Sequence, residues 1–229
     1  IVGWAGEVAE PGSFTTKDVC GTPVLVARAD DGVLRAFLNA CAHRGAQVAD
    51  GCGSAARLTC PYHAWTYRLD GTLAGIPSRA SFAGVDDRRL QPLPVREVGG
   101  LVVVGLRETV DLDGFLDELA PGIEGFGLAG YECVETRTFT VDANWKLVVD
   151  VNFEGYHFPF LHRTTLHALA TNHSVFDIFG RHCRWLFPFR VFEALREQPE
   201  TDWPPLPNAT LVYGLFPSTV IIHISGSSQ

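Results

Sequence analysis

The sequence predicts an α+β chain, with an all-β first half followed by a half that combines strands with short helices. Three observations carry this prediction. Apolar, strand-type runs separated by Asp-Gly turns crowd residues 1–107. A helix-start pattern, Asp142-Ala143-Asn144, opens the informative part of the second half and is followed by Leu147, Val148 and Val151 as an apolar face. The charge also divides. Residues 1–110 hold eleven Lys and Arg against eleven Asp and Glu, and residues 111–229 hold seven against fifteen, so the whole net charge of −8 lies in the second part.

At 229 residues the chain can form one large or two modest domains, each with a core. Apolar content of 46% and charged content of 19% read as soluble and globular. No apolar run reaches the roughly 18 residues of a membrane span, and no signal-peptide pattern opens the sequence. The acidic balance argues against a nucleic-acid surface, which needs a basic face. Six Cys are too few and too scattered for a secreted disulfide framework, so Cys20, Cys52, Cys133 and Cys183 read as ordinary thiols and the expected setting is cytoplasmic. With no Met anywhere and Ile at position 1, the sequence reads as a fragment.

In chain order, Val24–Arg28 and Val33–Leu38 around Asp30-Asp31-Gly32 read as a hairpin. Trp65–Leu69, Asp70-Gly71 and Thr72-Leu73 read as a second hairpin, and 101–106 as a buried strand. Between the hairpins lie Cys41-Ala42-His43-Arg44-Gly45 and Cys60-Pro61-Tyr62-His63-Ala64-Trp65. Each offers one thiolate and one imidazole among the small residues, Gly and Pro that suit tight loops. A Cys₂His₂ set can hold one tetrahedral zinc, or a Rieske [2Fe–2S] cluster with both thiolates on one iron and both imidazoles on the other. Zinc fingers keep Cys pairs and His pairs apart. Here each half is mixed, which favours the cluster.

These two motifs resemble the signature of the Rieske non-haem iron ring-hydroxylating oxygenases, α (catalytic) subunit. Respiratory and photosynthetic Rieske proteins carry one more Cys in each loop, paired as a disulfide, where this chain has Ala46 and Tyr62. The oxygenase signature usually has Gly after the second His, where this chain has Ala64. The resemblance implies a Rieske domain over 1–107 and, over 132–229, part of a helix-grip catalytic domain, an antiparallel sheet around a helix; between them, 108–131 mixes acidic residues with Gly and Pro, includes a short helix at Asp113–Leu119 and reads as the linker and entry to the second domain.

Glu132 to Val141 alternates as a strand does. A helix from residue 145 would put Asp150, Glu154 and His157 on one stripe, and Pro159 would end it so that His162 turns back toward His157. Two imidazoles beside a carboxylate suit ferrous iron. The pair follows the Cys60–His63 motif by about ninety residues, and Glu154-Gly155-Tyr156-His157 with Leu161-His162 resembles the family's mononuclear-iron segment. In that family the residue at Glu154, commonly Asp, bridges electronically to the Rieske His of a neighbouring subunit. The carboxylate ligand is an Asp further downstream than this sequence reaches, and neither Asp177 nor Asp202 takes its place. Residues 164–203 supply Phe176, Phe179, Trp185, Phe187, Phe189 and Phe192, an apolar lining for a substrate. The two runs 209–217 and 219–224 read as strands meeting at a turn.

The resemblance therefore implies a terminal oxygenase component. Electrons from NAD(P)H pass through a separate reductase, directly or by a ferredoxin, to a cluster on Cys41, His43, Cys60 and His63. They continue through Glu154 to iron on His157 and His162, where O₂ is activated to hydroxylate an aromatic or other hydrophobic small molecule. Electron transfer between subunits implies a head-to-tail homotrimer, in some members with a small β subunit. The alternatives are oxidative demethylation or amine cleavage by a Rieske monooxygenase, and a Rieske-type electron carrier, which would end near residue 107. A zinc interaction module is a further one.

Overall fold

The computed structural model describes residues 1–85, 87–171, 173–203 and 209–225. It divides into two units, Ile1–Thr136 and Arg137–Gln229.

The first unit is built from short antiparallel strands: β1 (Gly3–Trp4), β2 (Ser13–Val19), β3 (Thr22–Arg28), β4 (Leu34–Leu38), β5 (Cys52–Ser54), β6 (Leu58–Thr59), β7 (Thr66–Tyr67), β8 (Leu73–Gly75), β9 (Pro92–Leu93), β10 (Val95–Val98) and β11 (Leu101–Val104). They form a five-stranded sheet β5-β2-β3-β4-β9 and two three-stranded sheets, β1-β11-β10 and β6-β7-β8. The unbroken apolar run in β3 is explained by burial on both faces. Val24 and Val26 pack with Val8, Ala36, Leu93 and Val102 on one side. Leu25 and Ala27 face the opposite way, into the core that contains Phe37, Cys41, Cys60, Trp65 and Tyr67. Both hairpins read from the sequence are present: β3 pairs with β4 from Val24↔Leu38 to Arg28↔Leu34, and β7 pairs with β8 around the Asp70-Gly71 turn.

Two expectations are corrected here. In the segment 108–131, which falls in the first unit, Leu112, Leu116, Leu119, Ile123 and Phe126 are buried. That segment packs so closely that a Cβ on Gly99 would lie 2.7 Å from Ile123, and one on Gly100 2.8 Å from the Ala129 nitrogen. The helix expected at Asp113–Leu119 is a series of turns, and helix α1 forms instead at Ala120–Glu124, where Pro121 sits in the first turn. Residues 132–141 form no strand and lie exposed, because among the described residues no strand pairs with them.

The second unit begins with α2 (Trp145–Asp150), α3 (Phe158–Leu161) and α4 (Leu166–Leu169). Strands β12 (Val175–Phe179) and β13 (His182–Pro188), helix α5 (Phe192–Leu195), and strands β14 (Ala209–Leu215) and β15 (Thr219–Ser225) follow. The four strands make an antiparallel meander. Strands β14 and β15 match the two runs expected at 209–217 and 219–224, whereas the β12–β13 hairpin, which turns at Gly180 (φ +59°), lies unannounced within the aromatic stretch 164–203. Of the expected catalytic domain, residues 172, 204–208 and 226–229 lie outside the described residues. The core of this unit is Phe158, Ala170, Trp185, Phe187 and Val212, with Phe153 and Leu166 against it. The apolar face expected on α2 is not buried: Leu147, Val148 and Val151 are 64%, 44% and 53% exposed.

Gly71 tests the packing of the second hairpin. Its φ is +83°, and a Cβ there would lie 2.4 Å from Phe37 in the core. Left-handed strain and overpacking together predict that Gly71→Ala destabilises the chain by about 2–4 kcal/mol, read from the denaturant midpoint.

Candidate functional site

The first ligand loop leaves β4 and the second connects β6 to β7, and the two are closed in the same way. In the first, the Cys41 amide donates to the Ala46 carbonyl (2.8 Å) and the Gly45 amide donates to the Cys41 carbonyl (2.8 Å). In the second, Cys60 donates to Trp65 (2.8 Å) and Ala64 donates to Cys60 (3.0 Å). Gly45 and Ala64 therefore occupy equivalent places, and both are left-handed, at φ +75° and +55°. The Gly-to-Ala departure noted in the signature falls on this strained position.

The four side chains divide into two pairs. Cys41 and Cys60 are buried, at 4% and 2% exposure. His43 is half-buried and His63 exposed, with ring centroids 4.6 Å apart. Among the described residues, no three His, Cys, Asp or Glu side chains gather where a single metal ion could sit. Two thiols inside and two imidazoles outside suit a two-iron cluster better than one tetrahedral zinc.

Neighbouring groups prepare the set for metal. The Nδ1 of His43 is buried without a hydrogen-bond partner, so with the ring proton on Nε2 it is open to a metal. Desolvation lowers the pKa of His43, aided by the charges of His63, Arg44 and Arg88, and so favours the neutral imidazole that can bind a metal. The ring stacks on Trp65 (4.9 Å, 7°). The Tyr67 hydroxyl accepts from the Ala42 amide at 3.0 Å and lies 3.2 Å from Cys41 Sγ. Against a thiolate it must be the donor. Burial, and then the bond to Cys41, raise the Tyr67 pKa, so the phenol keeps its proton.

The second candidate site lies in the other unit. Of the two cap candidates, Asp142 and Asn144, it is Asn144 that caps α2, accepting from the Lys146 amide at 3.0 Å. The stripe of Asp150, Glu154 and His157 is corrected, because α2 stops at Asp150, a single 3₁₀ turn covers Val151–Phe153, and Glu154 is extended (φ −136°, ψ 147°). Pro159 does not end a helix; it sits in the first turn of α3, starting one. His157 and His162 are the residues flanking that short helix, and their rings come together at 5.1 Å. Phe158 anchors both, edge-on to His157 at 4.9 Å and packed on Phe187 at 5.5 Å.

Glu154 binds the turn from three directions. It hydrogen-bonds His157 Nδ1 and accepts from the amides of Tyr156 (2.6 Å) and His157 (3.3 Å). The bond to His157 is the main cause holding its pKa below the usual carboxylate range. A carboxylate on Nδ1 fixes the ring and frees Nε2 for a metal. No third ligand joins the two imidazoles among the described residues. Asp177 is paired with Arg184 at 2.7 Å, and Asp202 lies exposed. Next to this segment is a cavity of about 440 Å³ lined by Tyr156, Phe158, Phe160, Trp185 and Phe187 together with His167 and His173. No partner spacing in the sequence marks these two histidines.

Two family models match the chain. Residues 1–94 match the Rieske [2Fe-2S] domain, and residues 128–226 match the ring hydroxylating alpha subunit (catalytic domain). The glycine betaine monooxygenase oxygenase subunit of Pseudomonas aeruginosa is 36% identical over 77% of this chain and 42% of its own length. The carnitine monooxygenase oxygenase subunit of Escherichia coli K12 is 35% identical over 68% and 43%. The chain thus spans less than half the length of these relatives. Among solved structures, the quaternary ammonium Rieske monooxygenase CntA aligns over 98% of this chain and 60% of its own, with TM-score 0.84 and 26% identity. Another structure of a quaternary ammonium Rieske monooxygenase (TM-score 0.82, 27% identity, 98% and 61% coverage) is described as giving insight into inter-subunit electron transfer. Naphthalene 1,2-dioxygenase shares the fold, with TM-score 0.73 and 21% identity over 96% of this chain and 60% of its own.

Two outcomes follow from the first loop pair. Ala64→Gly relieves the left-handed strain and raises stability by about 0.5–1 kcal/mol in denaturant titration. Tyr67→Phe removes a donor that favours the more negative, reduced cluster, and lowers the midpoint potential by about 40 mV, the equivalent of ~1 kcal/mol for one electron.

Proposed function

The chain belongs to the Rieske non-haem iron oxygenases, and on that footing we propose that it is part of an oxygenase subunit that oxidises a small quaternary ammonium compound, by hydroxylation that ends in demethylation or cleavage at nitrogen. A Rieske domain implies a [2Fe–2S] cluster, and the catalytic domain of this family a mononuclear iron. When bound, the two centres supply electrons and the activation of O₂. In this reading Cys41, Cys60, His43 and His63 hold the cluster, and His157 and His162 hold the single iron.

The observation that carries the proposal is the second imidazole pair with its carboxylate. A Rieske electron carrier has no use for His157 and His162 brought to 5.1 Å with Glu154 on Nδ1. Glu154 keeps the His157 ring oriented and holds its proton at Nδ1. Its side chain is half-exposed, as is fitting for a residue that also faces a second subunit; the inter-subunit electron transfer described for the structural relative supports a head-to-tail ring here. A separate reductase supplies the electrons.

Substrate class is argued from the cavity and the relatives. At about 440 Å³ it is of small-ligand size, and its wall is aromatic: Tyr156, Phe158, Phe160, Trp185 and Phe187. Aromatic faces attract a quaternary ammonium ion, which has no N–H to satisfy. The same wall would accept an aromatic hydrocarbon, the expectation first drawn from the sequence. The glycine betaine and carnitine monooxygenases favour the cationic substrate, since the dioxygenase likeness, at 21% identity, carries the fold alone.

With the oxygenase supplied with reductase and NAD(P)H, a betaine-type substrate is consumed with matching NAD(P)H and O₂ uptake. Tyr156→Leu raises KM for it about fivefold, on the order of 1 kcal/mol, with little change in kcat. Turnover of naphthalene-like substrates, and of no quaternary amine, would contradict the substrate class.

A further inference from the structure

Ala42 is the single residue between Cys41 and His43, and both of its backbone groups are held by side chains from outside the loop. Its amide donates to the Tyr67 hydroxyl at 3.0 Å. Its carbonyl accepts from Arg88 Nη1 at 2.9 Å, across 46 residues of chain. The segment that carries Arg88 also places Phe82 edge-on to His43 (6.1 Å) and to Trp65 (5.7 Å). The other ligand loop has Pro61 after its Cys, whose ring fixes the backbone angle φ by itself. The first loop lacks a proline and takes its rigidity from these side chains.

We propose that Arg88 is a positioning residue for the cluster site: its guanidinium pins the Ala42 carbonyl, and with it His43, and keeps a positive charge beside the imidazole pair. The proposal rests on the reading that Cys41, His43, Cys60 and His63 hold the cluster. One-electron reduction adds a negative charge to that site, so a fixed cation nearby favours the reduced form, by an amount that exposure of Arg88 to solvent keeps modest. The two contributions separate chemically. Lys keeps the charge but lacks the planar fork that reaches the carbonyl, and Gln keeps neither the charge nor the reach.

The test is a dye-mediated redox titration, together with the rate of iron loss to a chelator, on the cluster-loaded protein and its Arg88→Gln and Arg88→Lys variants. R88Q shifts the reduction equilibrium roughly threefold toward the oxidised form, about 30 mV for one electron, and loses iron several-fold faster. R88K holds the equilibrium within about 1.5-fold of the parent while still losing iron faster, as expected if charge sets the potential and the bond sets the loop. Parent-like potential and iron loss in R88Q overturn the proposal. If R88Q does not fold, parent-like iron loss in R88K overturns it instead. A parent protein without acid-labile sulfide would fail the cluster reading itself, a different result from a loaded protein indifferent to Arg88.

Discussion

The two ligand loops can be superimposed in their bonding, and that repeated closure is the constraint on which the first unit depends. Each cysteine amide and carbonyl is tied within its own loop, so the thiol is committed to the interior and the following imidazole to the rim. Such a turn requires a left-handed residue four places after the cysteine. Gly45 meets that requirement without strain and Ala64 meets it at a cost. The rest of the unit follows from it. Strand β3 is buried on both faces because one side must support the sheets and the other must close over Cys41, Cys60 and Tyr67.

In the second unit the same need, two imidazoles at one place, is met by breaking a helix. An ideal helix would point His162 away from His157. The chain instead stops α2 at Asp150, runs extended through Glu154, and restarts at Phe158 with Pro159 in the first turn. Phe158 supplies the fixed point: buried among Trp185 and Phe187, it holds both flanking histidines to the sheet. Glu154 completes the turn by taking two amides and one ring nitrogen. The residue has a structural use in this loop.

The parts of the molecule legible in the sequence were those with local, type-specific signals. Asp-Gly turns fixed both hairpins, the Asp142-Ala143-Asn144 start announced its helix, and the mixed Cys-His loops stood out by composition. Longer-range effects were hidden. Ile123 lies against Gly99 in the turn between β10 and β11, and the Leu112 carbonyl accepts from Arg96 of β10, contacts that no periodicity in an acidic, Gly-rich stretch reveals. Residues 132–141 alternate as a strand does, yet a strand exists only with a partner. Pro159 was read as a stop when its neighbours make it a start. Arg88 carried no signal at all, because its role lies in one bond to a carbonyl 46 positions away.

The central claim is that this chain combines a two-iron cluster site with a separate single-iron site. Iron, zinc and acid-labile sulfide counted per chain, on protein purified without oxygen and on its His157→Ala/His162→Ala variant, test it most directly. The account predicts about two irons and two sulfides from the cluster in both proteins, with added ferrous iron taken up as a further iron by the parent and not by the variant. One zinc with no sulfide, or uptake of added iron indifferent to the loss of both histidines, would contradict it.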